Sequence, residues 1–344
     1  MTPTTPRSLG YRMPAEWEPQ EAIWLAWPHN RDTWCDDLLG QVRTAYLAIV
    51  GALQRDQRVC LLVDAPDVEA AVRAGGEDLT GVSFFHVRTR DTWIRDYGPS
   101  FVVNRSTRQA AMVKWTFDAW GGKYEDLKPD NGVPIEMNRS LSLPVFEAGL
   151  VLEGGSIDVN GRGTVLTTEQ CLLRSNRNPG LGRSELEGYL RDYLDAPHVV
   201  WLGEGIAGDD TDGHIDDIAR FVDATTVLYA WEDDPADANH GILADNYERL
   251  RSAVDQDGRP WRLVALPMPD PVAGPAGRLP ASYANFYIGN RTVVVPVFGQ
   301  DKDRRALDVI QSCFPDRRVA GVDCTAMVHG LGAVHCCSQQ QPRP

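Results

Sequence analysis

The stretch Glu153-Gly154-Gly155-Ser156-Ile157-Asp158-Val159-Asn160-Gly161-Arg162-Gly163-Thr164-Val165-Leu166-Thr167-Thr168 decides the fold class. Asn160-Gly161 lies between two short apolar runs, where Asn-Gly favours the positive φ of a tight hairpin turn. An acidic residue and two glycines stand at the mouth of that hairpin. The arrangement recurs. Arg95-Asp96-Tyr97-Gly98-Pro99 precedes a hairpin-like pair over residues 100–104 and 110–115. Gly213-His214-Ile215-Asp216 opens a run that turns at Asp223-Ala224 into residues 226–229, and Asn285-Phe286-Tyr287-Ile288-Gly289 turns at Asn290-Arg291 into residues 292–296. Finally, Gly330-Leu331-Gly332 leads a His335-Cys336 pair into a short run of strand-like composition. From Asp96 through Glu153, His214 and Asn285 to Cys336 the steps are 57, 61, 71 and 51 residues. That period is too long for a solenoid unit and suits a repeated supersecondary module, of which about five fit the chain.

Apolar runs over residues 21–28, 59–63 and 82–87 read as further strands. Helical spacing is expected over 36–55, 67–73, 184–194, 240–254 and 303–314, with Ser184 and Glu187 as a capping box. The Pro/Gly-rich segment from Pro267 to Pro280 reads as one surface loop, and nothing resembles a linker between domains. The expectation is an α/β chain forming a single domain over 1–344, with residues 1–12 loosely ordered. If the modules close radially, the residue opening each hairpin points at a shared axis, as equivalent positions of a propeller do.

The formal net charge of −14 argues against nucleic acid or an anionic membrane as partner and favours a cationic small molecule. Seven cysteines without framework spacing favour free thiols in a reducing cytoplasm over a disulfide scaffold. The N-terminal stretch lacks the basic start and apolar core of a signal peptide, and no apolar run reaches membrane-spanning length.

Gly208-Asp209-Asp210-Thr211-Asp212-Gly213 does not make a calcium loop, because glycine stands at the first ligand position and Ala219 at the bidentate glutamate. His214 and Asp216, two residues apart, share one face if they lie on a strand, which sets a base beside a carboxylate. Asp96 and Glu153 read alone as turn or surface residues; their equivalent places in the repeat make them candidates for the same site. Cys336 and Cys337 cannot both face one side of a strand, so one thiol points to the site and the other into packing. Neither has a partner pair at zinc spacing, and neither metal nor cofactor is expected.

Trp93-Ile94-Arg95-Asp96-Tyr97-Gly98-Pro99, Glu153-Gly154-Gly155-Ser156-Ile157, Asn176-Arg177-Asn178-Pro179, Asp212-Gly213-His214-Ile215-Asp216 and His335-Cys336-x-Ser338-Gln339-Gln340-Gln341-Pro342 together resemble the agmatine deiminases. These belong to the guanidine-modifying enzymes and are related to the bacterial-type peptidylarginine deiminases. The resemblance runs from Met13 to Pro342. It implies a five-bladed pseudosymmetric α/β-propeller (pentein-like) of repeated ββαβ modules, in a cytoplasmic homo-oligomer. It also implies Cys336 as nucleophile, His214 as general acid/base, Asp96 and Asp216 as the guanidinium clamp, and Glu153 as a further site carboxylate. The implied reaction hydrolyses agmatine to N-carbamoylputrescine and ammonia, in putrescine biosynthesis. Substrate contacts are expected from Asp96, Asp216, Glu153, Trp93, Trp120 and Asp210, with Glu204 a further candidate for the far wall. The chain departs from the family at Leu331, where glycine is usual, at Ala333, where asparagine is usual, and at Cys337.

Other readings stay open at this level. A deiminase of free or peptide-linked arginine uses the same clamp, and a guanidinium-binding homologue without turnover keeps it. A Cys-His acyl hydrolase explains Cys336 and His214 but leaves Asp96 and Asp216 without a task.

Overall fold

The computed structural model describes residues 4–275 and 277–344. It has a mixed α/β fold, and its sheets repeat one plan. Ser338–Pro342, Gln20–Ala26, Arg58–Val63 and Val82–His86 form the first sheet, in that order. Ser100–Asn104, Gln109–Thr116 and Val145–Val151 form the second; Asp158–Val159, Thr164–Thr168 and His198–Leu202 the third. Ala219–Phe221, Thr226–Trp231 and Arg262–Pro267 form the fourth; Tyr287–Ile288, Thr292–Val297 and Arg318–Asp323 the fifth. In each, the first two strands are antiparallel and the third is parallel to the second. A parallel neighbour requires a crossover. The helices Asp36–Leu53, Val133–Leu141, Arg183–Leu194, Ala238–Ser252 and Lys302–Cys313 lie in the five crossovers.

Helical periodicity in the sequence sets how each crossover packs. In Asp36–Leu53 the buried residues Leu39, Val42, Tyr46, Ile49, Val50 and Leu53 recur every three or four positions, and Asp36 and Asp37 favour the positive end of the helix dipole in the first turn. The strands beneath are covered on both faces, so Thr164–Thr168 is buried throughout and Gln20–Ala26 exposes only Glu21. Burial of each large aliphatic side chain here stabilises by about 1.5–3 kcal/mol.

Three local expectations are corrected. His214 and Asp216 do not alternate along a strand: residues Ile215–Asp217 form a 3₁₀ turn, and the strand begins only at Ala219. Cys336 and Cys337 also precede their strand, which starts at Ser338. A tight turn before each first strand swings the hairpin-opening side chains toward one place, which an extended backbone does not do. The expected capping box of Ser184 and Glu187 is two residues too late, because the Glu185 carboxylate accepts the Gly182 N–H at 3.1 Å and Ser184 lies inside the helix. Within the first twelve residues, Arg7–Leu9 forms a 3₁₀ turn and Arg12 bridges to Val103. The loop after Pro267 carries a short strand pair, Ala273–Gly274 with Gly277–Arg278.

Candidate active site

The hairpin-opening turns bring the spaced residues of the sequence together. Asp96, on the one-turn helix Ile94–Tyr97, accepts the Gly155 N–H on Oδ1 and the Trp120 indole N–H on Oδ2, each at 2.9 Å. To present that indole, Ala119 and Trp120 adopt left-handed backbone (φ 62° and 56°), a conformation costing about 1–2 kcal/mol per L-residue. His214 Nδ1 lies 3.8 Å from Asp96 Oδ1, and neither His214 ring nitrogen has a hydrogen-bond partner although the residue is 1% exposed. Glu153 is also buried: Oε1 accepts the Arg177 Nε–H at 2.9 Å while Oε2 is unpartnered. Arg177 is in turn bound by Asp212 and by the Thr211 carbonyl. Asp216 keeps Oδ1 free, and its Oδ2 pairs with His335 Nδ1 at 2.7 Å. His335 spans two acids, since its Nε2 meets Glu16 Oε2 at 2.8 Å.

Cys336 Sγ–H faces Asp216 Oδ2 at 3.7 Å, so the thiol sits beside that carboxylate. Cys337 turns away, with its Sγ–H on the Val334 carbonyl at 3.3 Å. Gly155 explains how the groups approach so closely. A Cβ there would stand 2.6 Å from His214 Nδ1, 2.9 Å from Asp96 Oδ1 and 3.1 Å from Asp216 Oδ2. Gly155→Ala is therefore expected to fold and to lose activity by roughly 10²-fold or more, as a misplacement of about 1 Å does. Steady-state kinetics with a thermal melt separate the two effects.

Charge is distributed for a cation. Burial raises the Asp96 carboxyl to about 6, helped by Asp216 and Glu153 and opposed by His214. For His214, burial acts downward, but Asp96, Asp216 and Glu153 outweigh it and the pKa is raised. The Asp216 carboxyl resists its burial through His335 and is held below the ordinary range. Burial and the charges of Asp216, Asp217 and Asp96 push the Cys336 thiol well up. With no cation present, these surroundings favour the thiol form of Cys336 and the protonated form of His214. A positive guest among the carboxylates reverses the first of these.

Cys336 and Asp96 line a cavity of about 370 Å³ together with Trp93, Trp120 and Asp210, whereas His214, Glu153 and Asp216 are not among its lining residues. Asp91, Asp32 and Asp126 also line it, the last two exposed at its rim. Asp210 is engaged by Lys123 and Tyr124. Glu204 is not there: it is exposed and lines a separate depression with Glu169, Asp245 and Arg249. Leu331 lines the cavity at φ 67°, a left-handed position that suits glycine. Ala333 is buried in the core.

Glu153, Cys171 and His214 offer ligand atoms within 4.8 Å of one another. That donor set is poor for a metal, because Arg177 already neutralises Glu153, and burial beside that carboxylate pushes the Cys171 thiol well up, which keeps it protonated. The sequence did not single out His335, Glu16, Gly155, Arg177 or Asn285 for a role. Arg177, Gly155 and His335 lie inside the quoted motifs, and Asn285 holds a repeat position; Glu16 carries no local signal.

The chain matches the model of the Porphyromonas-type peptidyl-arginine deiminase family over residues 12–342. The agmatine deiminase of Pseudomonas syringae pv. syringae is 36% identical over 371 aligned residues, covering 99% of this chain and 98% of that relative. Among solved structures, the agmatine deiminase of Enterococcus faecalis superposes with a TM-score of 0.93 at 34% identity, covering 100% of this chain and 99% of that one. A cysteine-to-serine variant of Campylobacter jejuni agmatine deiminase with substrate bound gives 0.88 at 30% identity, covering 96% of each chain.

Proposed function

Because this chain belongs to the Porphyromonas-type peptidyl-arginine deiminase family, we propose that its buried constellation hydrolyses the guanidinium of agmatine to N-carbamoylputrescine and ammonia. The observation that carries this reading is the set of unpaired valences. The free oxygens of Asp216 and Glu153 and both nitrogens of His214 are buried without partners, beside a thiol. The unpartnered carboxylate oxygens, costly to bury alone, match a planar cation bearing N–H donors, and the unpartnered His214 ring stays free to move a proton.

In this reading Asp96 and Asp216 hold the guanidinium, and its charge favours the thiolate of Cys336. The thiolate attacks the central carbon, forming a C–S bond and a tetrahedral adduct. His214, whose protonated form the surrounding acids favour, gives its proton to the departing nitrogen, so the C–N bond breaks and ammonia leaves. Neutral His214 then takes a proton from water, whose oxygen attacks the thiouronium carbon. The C–S bond breaks as the added hydroxyl gives up its remaining proton to solvent, and the ureido product leaves with Cys336 as thiolate.

The cavity supports agmatine over arginine. Among its described lining residues are Asp32, Asp91, Asp126 and Asp210 and no arginine or lysine, which suits an ammonium tail and opposes a carboxylate. With the reading goes a single catalytic domain over 1–344, closed as a five-bladed propeller of ββαβ modules; the five sheets of one plan support this. We place the enzyme in the cytoplasm as a homo-oligomer of the putrescine route, working without a cofactor. Among the described residues no helix is long and apolar enough to cross a membrane. Ammonia and ureido product measured with agmatine, arginine and an arginyl peptide test the substrate. The expected kcat/KM for agmatine exceeds that for arginine by about 10²-fold or more. Equal rates would overturn the specificity.

A further inference from the structure

Asn285 opens the hairpin of the fifth sheet and has no part in the steps above. Its side-chain oxygen accepts two backbone N–H groups, from His335 at 2.9 Å and Cys336 at 3.3 Å. Backbone N–H can only donate, so the amide oxygen must face that loop and the NH2 must face away. On that side Nδ2 has two neighbours: Asp217 Oδ1 at 3.0 Å and Cys336 Sγ at 3.0 Å. Two hydrogens thus meet two acceptors. Asn285 is 1% exposed, which removes water as a competitor. An amide NH2 has no lone pair to offer, so the sulfur is the acceptor, and its own proton faces Asp216.

We propose that Asn285 is a catalytic residue whose Nδ2–H bonds the sulfur of Cys336 and stabilises its thiolate, with Asp217 as the positioning residue that stops the amide from turning. The inference rests on Cys336 being the nucleophile. The charged groups that act most on the sulfur's proton affinity without substrate are acids, Asp216, Asp217 and Asp96, while His335 is occupied by Asp216 and Glu16. Asn285 supplies a neutral donor against that field. It serves twice, because sulfur regains its charge when the thiouronium C–S bond breaks. Both hydrogens of Asn285 Nδ2 are committed, to Asp217 and to the sulfur, which leaves none for substrate, so its loss should act on kcat and spare KM.

Two variants isolate the donor. Asn285→Ala removes it without adding charge; Asn285→Asp removes it and keeps the acceptor that holds residues 335 and 336. Alkylation of Cys336 by iodoacetamide, quantified on the Cys336 peptide across pH, needs no substrate. In both variants the expected rate at pH 8 falls roughly tenfold to hundredfold, the range of one hydrogen bond to a charged group. The same fall is expected in kcat, with KM changed less than about threefold. A slower reaction in only one variant marks a charge or backbone effect and overturns the proposal, as does an unchanged profile in both. If neither variant folds, Asp217→Ala compared with Asp217→Asn decides: both remove the charge that raises the thiol, but only asparagine keeps an oxygen for the Asn285 amide, so Cys336 alkylation at least about threefold slower in the alanine variant supports the positioned donor, and equal rates overturn it. A wild-type protein that alkylates at Cys336 with the expected pH profile but does not deiminate agmatine would sink the proposed function and leave this inference standing.

Discussion

Cys336→Ser is expected to lower ammonia release from agmatine by roughly 10⁴-fold or more, since a serine hydroxyl in an acidic, water-poor site does not ionise to replace a thiolate. Agmatine should still bind, because the carboxylates that meet its charge are untouched; calorimetry on the variant checks this. Cys337→Ser should behave differently. Cys337 is fully buried, points at the Val334 carbonyl, and burial pushes its thiol up to about 12. It should keep activity within about tenfold and pay in melting temperature, because a buried hydroxyl replaces a small apolar group. A dead Cys337 variant beside an active Cys336 variant would reverse the assignment of the nucleophile.

Asp216→Asn should move two measurements in opposite directions. The Asp216 charge raises the thiol pKa of Cys336, so its removal makes the free thiol more acidic and speeds alkylation by a neutral reagent at pH 8. The same change removes one arm of the guanidinium clamp and should cut kcat/KM by roughly 10²- to 10³-fold, as loss of a buried charge partner does. Faster labelling with slower turnover means the carboxylate serves the substrate's cation at the expense of the resting nucleophile. Parallel losses in both would contradict that division. Asp96 adds a pH limit: with its carboxyl raised to about 6, kcat/KM should decline as pH falls through that value.

The turn chemistry that read well from sequence was local. Asn160-Gly161 and Asn290-Arg291 fall between paired strands, and the helix expected over 36–55 is Asp36–Leu53. Five spaced side chains were also visible, because four of them open a hairpin and Cys336 precedes a short strand. How they converge was not visible. Strand alternation was the wrong geometry for His214 and Asp216, and the 3₁₀ turn that replaces it leaves no distinct pattern in Ile215-Asp216-Asp217. Asn285 was marked by spacing, yet a neutral amide suggests no chemistry until its two acceptors are known. Glu16 was hidden altogether: its partners His335, Arg220 and Arg95 are remote in sequence, and no periodicity reports such a contact.

The strand Ser338–Pro342 pairs with Gln20–Ala26, placing Trp24 opposite Gln339, and Cys336 lies just before that strand. Ribosomal synthesis therefore delivers the acids long before the sulfur. Until the first sheet receives this late strand, the acids stand without the sulfur and Asp216 without His335, and the pairing of Ser338–Pro342 with Gln20–Ala26 arms the site. Readiness for chemistry and completion of the fold become one event, so a ribosome-stalled or C-terminally clipped chain should be inert, however much of its architecture has formed.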